Sequence, residues 1–353
     1  MTRHGGHRAD EPWAGFVRAL ILAALAAFGL LYGTVLVADP YGIRAGPGRA
    51  PSPLMDLNGR TMYPQLARGG RFDGAVFGTS TVRLLDPQVL GDLFGGRVAN
   101  LGLNAGTPWE QVQLARLFLR HVPEPRLVVL GLDRNWCEPD ADAPEKRLTF
   151  RDNPPWLYDE DGLNDLPPLL SLTALEIAGR VLLHRLGLMP ARIRGDGYEV
   201  FTPPEDRYDL ARARVHIASS LRSRGMPGPS VRLGEPRLPA LDWLRDLLAA
   251  LPRGTRLVAV LPPIHVAAQP ADGSPDAADD LRCKAEIAGI VGGRGGTVAD
   301  FRLASAVTTA DTNYWDPLHY RQPIARLFAL AIAGAAAGQA SPDGFYRLLS
   351  GGR

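Results

Sequence analysis

Short apolar runs alternate with longer amphipathic stretches over most of this chain. The apolar runs, each bounded by turn residues, occupy 74–77, 98–103, 126–133, 256–261 and 297–301, and we interpret them as β-strands. The amphipathic stretches occupy 85–94, 107–121, 238–251, 277–291 and 321–337, and we interpret them as helices. A strand followed by a helix, repeated about five times, predicts an α/β fold with a doubly wound parallel sheet covered by helices on both faces.

The alternation fails between residues 137 and 236, which we interpret as a helical insertion or lid. Helical patterns cover 166–188 and 206–222 within it. His184 and His216 lie there without an acidic partner at a recognisable spacing, so packing or surface roles are expected for both. The segments 73–136 and 237–340 then form the α/β domain, and 341–353 form a C-terminal tail.

The N-terminal part of the chain predicts a membrane anchor. Residues 19–38 contain no charge and are long enough to cross a hydrocarbon core as one helix. A cleaved signal peptide and a buried soluble helix are the alternatives. Residues 1–18 precede the span as a cytoplasmic tail, and 39–72 follow it as a juxtamembrane connector in which prolines and glycines break regular structure.

Charge flanking the span predicts its orientation. Arg3, Arg8 and Arg18 precede it, whereas Asp39 follows it directly, which favours a cytoplasmic N-terminus. The chain is therefore expected to be a single-pass protein of the cell inner membrane with a periplasmic domain. Cys137 and Cys283 are the two cysteines, and one disulfide or two buried thiols are both compatible with that location.

Composition excludes several function classes. The formal net charge is +2, and no block of Lys and Arg is long enough to bind a nucleic acid. No cluster of Cys and His and no H-E-x-x-H predicts a metal site. No glycine-rich nucleotide loop follows the first strand, so no cofactor is expected.

Candidate chemistry lies at two points. Gly78-Thr79-Ser80 ends the first strand, where a glycine permits a sharp turn and a serine could act as nucleophile; the alternative is that Thr79 and Ser80 only cap the next helix. Asp316-Pro317-Leu318-His319 precedes the last helix. Because a serine needs a base oriented by a carboxylate, we expect His319 to be the base and Asp316, rather than Asp300, its acid; the alternative is a helix cap at Asp316.

The order of these motifs resembles the SGNH (GDSL-like) hydrolase superfamily. The motifs are Gly78-Thr79-Ser80, Asn100-Leu101-Gly102 with Gly106, Gly131-Leu132-Asp133 and Asp316-x-x-His319. Together with Asp39-Pro40-Tyr41-Gly42 after the span, they are similar to the membrane-anchored branch, which includes proteins that acetylate alginate and the protein that passes D-alanine to teichoic acid. The resemblance covers 39–135 and 255–335 and implies a flavodoxin-like sheet.

The resemblance also implies roles for single residues. The backbone N–H groups of Ser80 and of Gly106, or Gly102 if the turn starts earlier, would form the oxyanion hole. Asp133 stands where the superfamily usually has an asparagine, and Asn135 could replace that missing donor. An ionised Asp133 would repel an oxyanion and is therefore expected to point elsewhere.

Two further residues are candidate substrate contacts. Thr79 lies beside the candidate nucleophile, and His265 follows the fourth strand. A surface position for His265 is the alternative.

These expectations lead to two functions. The first is a membrane-anchored serine esterase or O-acyltransferase that passes an acyl group, by resemblance acetyl, to an envelope or exported polysaccharide, with the donor delivered by a multi-span membrane partner. The second is an inactive SGNH-like scaffold that binds a polysaccharide or a membrane acyltransferase.

Overall fold

The central sheet has six strands, and the first five are parallel. The computed structural model describes residues 11–46, 48–224 and 237–350. The strands are β1 (Gly74–Phe77), β2 (Val98–Asn100), β3 (Leu127–Gly131), β4 (Arg256–Leu261), β5 (Thr297–Asp300) and β6 (Arg347–Ser350). They lie in the order β2-β1-β3-β4-β5-β6, with β6 antiparallel to β5. The prediction of a mixed α/β fold with a mostly parallel sheet is confirmed.

Eleven α-helices are described around this sheet. They are α1 (Glu11–Ala38), α2 (Gly59–Met62), α3 (Pro64–Arg68), α4 (Pro87–Phe94), α5 (Pro108–His121), α6 (Pro144–Arg147), α7 (Leu172–Arg185), α8 (Leu210–Arg224), α9 (Pro239–Ala249), α10 (Pro275–Gly293) and α11 (Gln322–Ala336). Helix α5 begins where the sequence indicates, because Thr107 and Glu110 cap its N-terminus reciprocally and Pro108 occupies its first turn.

Sheet order determines where the loops meet. β1 pairs in parallel with β2 on one side and with β3 on the other, so the loops that follow these three strands leave the same edge. In doubly wound sheets this carboxyl edge, at the point where the strand order reverses, is where ligands bind. The turn at Ser80 therefore lies between the loops that begin at Leu101 and at Leu132.

Helix α1 is long and apolar enough to span a membrane. Its 28 residues correspond to a length of about 42 Å. The described helix includes residues 11–18, which were predicted as part of a tail; residues 1–10 lie outside the described part of the chain. The last turns of α1 pack against α7, where Val35 and Ala38 are buried.

The segment 39–72, predicted as an irregular connector, instead contributes helices α2 and α3 to the core. Asn58 caps α2 by accepting a hydrogen bond from the N–H of Arg60, and Pro64 starts α3 at a position where its missing N–H costs nothing. Met62 and Tyr63 are buried. Prolines and glycines here mark helix starts rather than loss of structure.

A buried ion pair anchors α2 to α5. The guanidinium of Arg60, fully buried, donates to both carboxylate oxygens of Glu110, from Nε at 2.9 Å and Nη2 at 2.5 Å. Its Nη1 donates to the carbonyl of Asn104 at 3.1 Å. The segment after α1 therefore supports the loop that follows β2.

The C-terminal segment and the two cysteines also bear on the expectations from the sequence. The predicted C-terminal tail contributes β6, because Phe345 and Tyr346 bury their rings against Phe301. Cys137 and Cys283 form a disulfide, which decides between the two alternatives left open above. The insertion contains helices α7 and α8, which fall on the two predicted helical stretches, and the short helix α6, which was not predicted; its residues 225–236 lie outside the described part of the chain.

Candidate active site

The candidate nucleophile sits in a tight turn directly after β1. A Cβ atom at Gly78 would lie 2.7 Å from Cγ2 of Val82 and 3.1 Å from the carbonyl oxygen of Gly131, so the turn requires glycine. Ser80 then begins a short 3-10 helix, Ser80–Val82, and the hydroxyl of Thr79 caps it by accepting from the N–H of Thr81. Thr79 therefore caps the helix, as the alternative proposed, whereas the hydroxyl of Ser80 contacts His319.

The structure brings Ser80, His319 and Asp316 into one hydrogen-bonded chain. Oγ of Ser80 lies 2.8 Å from Nε2 of His319, and Nδ1 of His319 lies 2.6 Å from Oδ2 of Asp316. Ser80 and His319 are 239 positions apart in the sequence. Since Nδ1–H donates to the carboxylate, Nε2 is left as an acceptor facing the serine hydroxyl, which is the arrangement that general-base activation of a serine requires.

The carboxylate of Asp316 is fixed by its own loop. Its Oδ1 accepts from the backbone N–H of Leu318 at 2.8 Å and of His319 at 3.0 Å. Burial raises the pKa of Asp316, but the hydrogen bond from His319 and these two N–H groups outweigh burial and hold the pKa below the usual 3.8. Asp316 is therefore ionised at neutral pH and oriented toward the imidazole. The competing acid, Asp300, is fully buried in an ion pair with Lys284.

The carboxylate of Asp133 binds the two threonines that flank Ser80. Its carboxylate accepts from Oγ1 of Thr79 at 2.5 Å and from Oγ1 of Thr81 at 3.0 Å. Burial raises the pKa of Asp133 above 3.8, although both threonine hydroxyls oppose the rise. The residue that departs from the superfamily pattern thus links the loop after β3 to the turn that carries Ser80.

Removing this carboxylate is expected to loosen the turn. Asp133→Ala leaves two threonine hydroxyls without their acceptor and should lower the free energy of unfolding by about 1–3 kcal/mol, measured by urea denaturation. Asp133→Asn keeps an acceptor and should lose less. Because the folded-state pKa of Asp133 is raised, ionisation costs stability, so wild type should gain stability relative to Asp133→Asn as pH falls toward 3.8. Equal stability of wild type and Asp133→Ala would contradict this role.

The predicted oxyanion donors are partly engaged within the protein. The N–H of Gly102 donates to Oδ1 of Asn100 at 3.0 Å, and the N–H of Gly106 donates to the carbonyl of Leu103 at 3.0 Å. Nδ2 of Asn135 donates to the carbonyl of Gly106 at 2.9 Å. Asn135 therefore lies beside the loop that the resemblance assigns to the oxyanion hole, and its amide keeps a second hydrogen to donate. Gly102 or Gly106 could donate to an oxyanion only if that loop rearranges.

Both predicted substrate contacts are buried and hydrogen-bonded within the protein. The hydroxyl of Thr79 is committed to Asp133, as described above. His265 is buried, and its Nδ1 accepts from the N–H of Ala267 at 3.1 Å. Burial lowers the pKa of His265, and Asp311, whose Oδ1 lies 3.2 Å from Nε2, only partly opposes this. The backbone N–H of His265 donates to the carbonyl of Pro317 at 2.9 Å, so His265 supports the loop of Asp316 and His319.

The insertion supplies a wall that sequence reasoning missed. The ring of Phe201 packs edge-on against the imidazole of His319, with centroids 5.3 Å apart. The guanidinium of Arg83 lies 4.8 Å from the same ring and forms an ion pair with Glu199. Burial raises the pKa of Glu199 although Arg83 opposes it. No local motif marks these residues, because their contacts join segments more than a hundred positions apart.

Comparison with known proteins adds no family assignment. No protein-family model matches the chain, and a search of curated proteins found no match. Within the described ranges, no group of three or more His, Cys, Asp or Glu side chains is arranged to hold a metal ion. The fold and the site therefore define an α/β protein with a Ser-His-Asp arrangement at the carboxyl edge of its sheet.

Proposed function

We propose that this chain is a membrane-anchored, extracytoplasmic serine esterase or O-acyltransferase with an SGNH-like fold. The observation that supports it most directly is the chain of contacts from Ser80 through His319 to Asp316, with distances of 2.8 and 2.6 Å. A serine, a base and an orienting carboxylate in this order are what acyl transfer through an acyl-serine requires.

The proposed reaction has two halves. Nε2 of His319 accepts the proton of Ser80 as Oγ bonds to the acyl carbonyl carbon, and the imidazolium then gives that proton to the departing alkoxide. An acceptor hydroxyl, or water, next loses its proton to Nε2 of His319 and attacks the carbonyl carbon of the acyl-serine. The bond from that carbon to Oγ then breaks, and the imidazolium returns the proton to Oγ, which regenerates Ser80. Asp316 stabilises the imidazolium in both halves. The N–H of Ser80 and the second amide hydrogen of Asn135 are the donors we assign to the oxyanion, with Gly106 joining if its loop opens.

Other features support the proposed location and substrate class. Helix α1 could anchor the protein in a membrane, and the disulfide supports an oxidising compartment outside the cytoplasm. The resemblance stated above supports an acetyl group, a sugar hydroxyl of an envelope or exported polysaccharide as acceptor, and a multi-span membrane protein as source of the acyl group.

The alternative function is a scaffold without catalytic activity. Two observations favour it: Gly102 and Gly106 have their N–H groups engaged, and Asp133 replaces the usual asparagine. Loss of one oxyanion donor typically slows acyl transfer by about 100-fold to 1000-fold. A scaffold would use the same surface to bind a polysaccharide or a membrane acyltransferase.

Labelling with a fluorophosphonate probe distinguishes the two functions. In detergent-solubilised full-length protein, we expect wild type to be labelled, and Ser80→Ala and His319→Ala to show no labelling. Ser219→Ala is the matched control, because Ser219 is an exposed serine on α8 whose hydroxyl donates to the carbonyl of His216, and its labelling should equal that of wild type. Folded wild type that is not labelled would exclude the enzyme and favour the scaffold.

A further inference from the structure

Four leucines of the insertion form an exposed apolar surface beside helix α1. Leu163, Leu166, Leu170 and Leu172 are 80%, 39%, 53% and 85% exposed, and we name them the leucine patch. Large apolar side chains exposed together usually mark a surface that contacts a partner or a membrane.

The leucine patch lies beside the last turns of α1. The hydroxyl of Tyr32 donates to the carbonyl of Leu166 at 3.4 Å. At the other end of α7, the guanidinium of Arg185 donates to the carbonyls of Val37 and Ala38 at 3.2 and 3.1 Å. Helix α7 therefore runs alongside α1 in the same direction, and its first residues lie at the height of Tyr32 rather than beyond the end of α1.

An apolar crevice joins the patch to α1 at this height. It has a volume of about 160 Å³ and is lined by Phe28, Leu31 and Tyr32 on one side and by Leu169, Leu172 and Leu175 on the other. Its lining and its position against an apolar helix are suited to a lipid acyl chain.

The depth of this region follows from the geometry of α1. Trp13 and Tyr32 are 19 positions apart, about 29 Å along a helix, which matches the thickness of a hydrocarbon core, about 30 Å. This places the span at 13–32 rather than at the 19–38 expected from the sequence, and the long side chain of Arg18 then extends to the inner interface. Trp and Tyr are enriched at the two interfaces of a membrane. With Tyr32 at the outer interface, the leucine patch lies at the boundary between lipid headgroups and acyl chains.

We propose that the leucine patch inserts into the outer interface of the membrane that α1 spans, so that the α/β domain is attached at two places. The proposal rests on α1 being a membrane anchor and does not depend on the catalytic role of Ser80. Glu160 and Asp161 border Leu163, and these exposed carboxylates limit the insertion to the interface. Two attachments prevent the domain from rotating freely about α1 and hold the Ser80 site in one orientation to the membrane.

Quenching by lipid-borne nitroxides tests this insertion. Full-length protein carrying Leu172→Cys, with its native disulfide intact, is labelled with an environment-sensitive fluorophore and reconstituted into vesicles of phosphatidylcholine and phosphatidylglycerol. We expect a roughly twofold or greater loss of fluorescence when nitroxide lipids are included, because the label lies at the acyl boundary. Leu281→Cys on α10 is the matched control, since Leu281 is also a helical leucine, 57% exposed, and we expect no quenching there.

A second label separates failure of the patch from failure of the anchor. Leu25→Cys lies in the middle of α1 and should be quenched if α1 spans the bilayer. Quenching at 25 without quenching at 172 would overturn the insertion while leaving the anchor intact. Absence of quenching at both positions would overturn the anchor and the insertion together, whereas fluorophosphonate labelling of Ser80 would still report separately on the enzyme.

Discussion

Asp316→Asn is expected to lower the rate of acyl transfer by about 10⁴-fold while the fold is retained. The reason lies in the hydrogen bonds of the loop. Oδ1 of residue 316 must still accept from the N–H groups of Leu318 and His319, so the asparagine would present its amide hydrogens to Nδ1 of His319. The imidazole would then carry its proton on Nε2 and donate to Oγ of Ser80 instead of accepting from it.

The measurement is the rate of fluorophosphonate labelling and of turnover of a small acetyl ester by purified full-length protein. Asp311→Asn is the matched control, because Asp311 also lies beside a histidine, His265, at 3.2 Å. His265 supports the loop of Asp316 through its backbone N–H, and its imidazole transfers no proton in the proposed reaction. We expect Asp311→Asn to keep most of its activity. Equal rates for Asp316→Asn and wild type would show that the carboxylate does not orient the base.

Stability against pH gives an independent check on Asp316. Its pKa is lowered in the folded protein, so the ionised carboxylate stabilises the native state above the ordinary value of 3.8, and this contribution is lost as pH falls through the lowered pKa. Asp316→Asn should therefore lose stability at neutral pH, and the difference from wild type should shrink in acid. A difference that does not depend on pH would mean that the charge of Asp316 is not what stabilises the loop.

The arrangement of Ser80, His319 and Asp316 could be predicted from the sequence, because each residue lies in a loop next to a strand or helix with a clear hydrophobic pattern. A buried run ending in Gly78 predicts a turn at the carboxyl edge, and the spacing of Asp316 and His319 lets one carboxylate reach the ring and two backbone N–H groups. The parallel sheet brings these loops together once the order of its strands is given.

Other features of the site depended on contacts that leave no local pattern. Phe201 contacts His319 from the insertion. Arg60 supports Asn104 from a segment interpreted as a connector, because Asn58 caps a short helix there. The engaged N–H of Gly106 follows from the tight turn at Leu103, whose hydrogen bonds cannot be deduced from residue types alone. Sequence patterns thus predict elements and their chemistry, whereas packing between distant segments determines the wall of the site.

The disulfide between Cys137 and Cys283 is expected to make the largest single contribution to stability that we can assign. It joins Cys137, in the 3-10 helix Arg134–Cys137 that follows β3, to Cys283 on α10 across 146 positions. Closing a loop of that length in the unfolded chain is worth about 5 kcal/mol in the chain-entropy model. Cys137→Ala with Cys283→Ala should therefore lower the free energy of unfolding in urea by about 4–5 kcal/mol, and dithiothreitol should do the same to wild type.

Comparing these two forms separates the cross-link from packing. Cys283 is fully buried, so the alanine pair also leaves a small cavity, whereas reduced wild type keeps both sulfur atoms. The difference between the two forms therefore measures packing at this position, and the loss that they share measures the cross-link. An unchanged unfolding midpoint after complete reduction would contradict the prediction. Because the cross-link starts two positions after Asn135, its loss should also slow labelling of Ser80 by freeing the loop after β3. A domain located in a reducing cytoplasm would not form this disulfide. It would therefore show the lower stability and the slower labelling of Ser80 expected for the reduced protein, whereas a periplasmic domain would not.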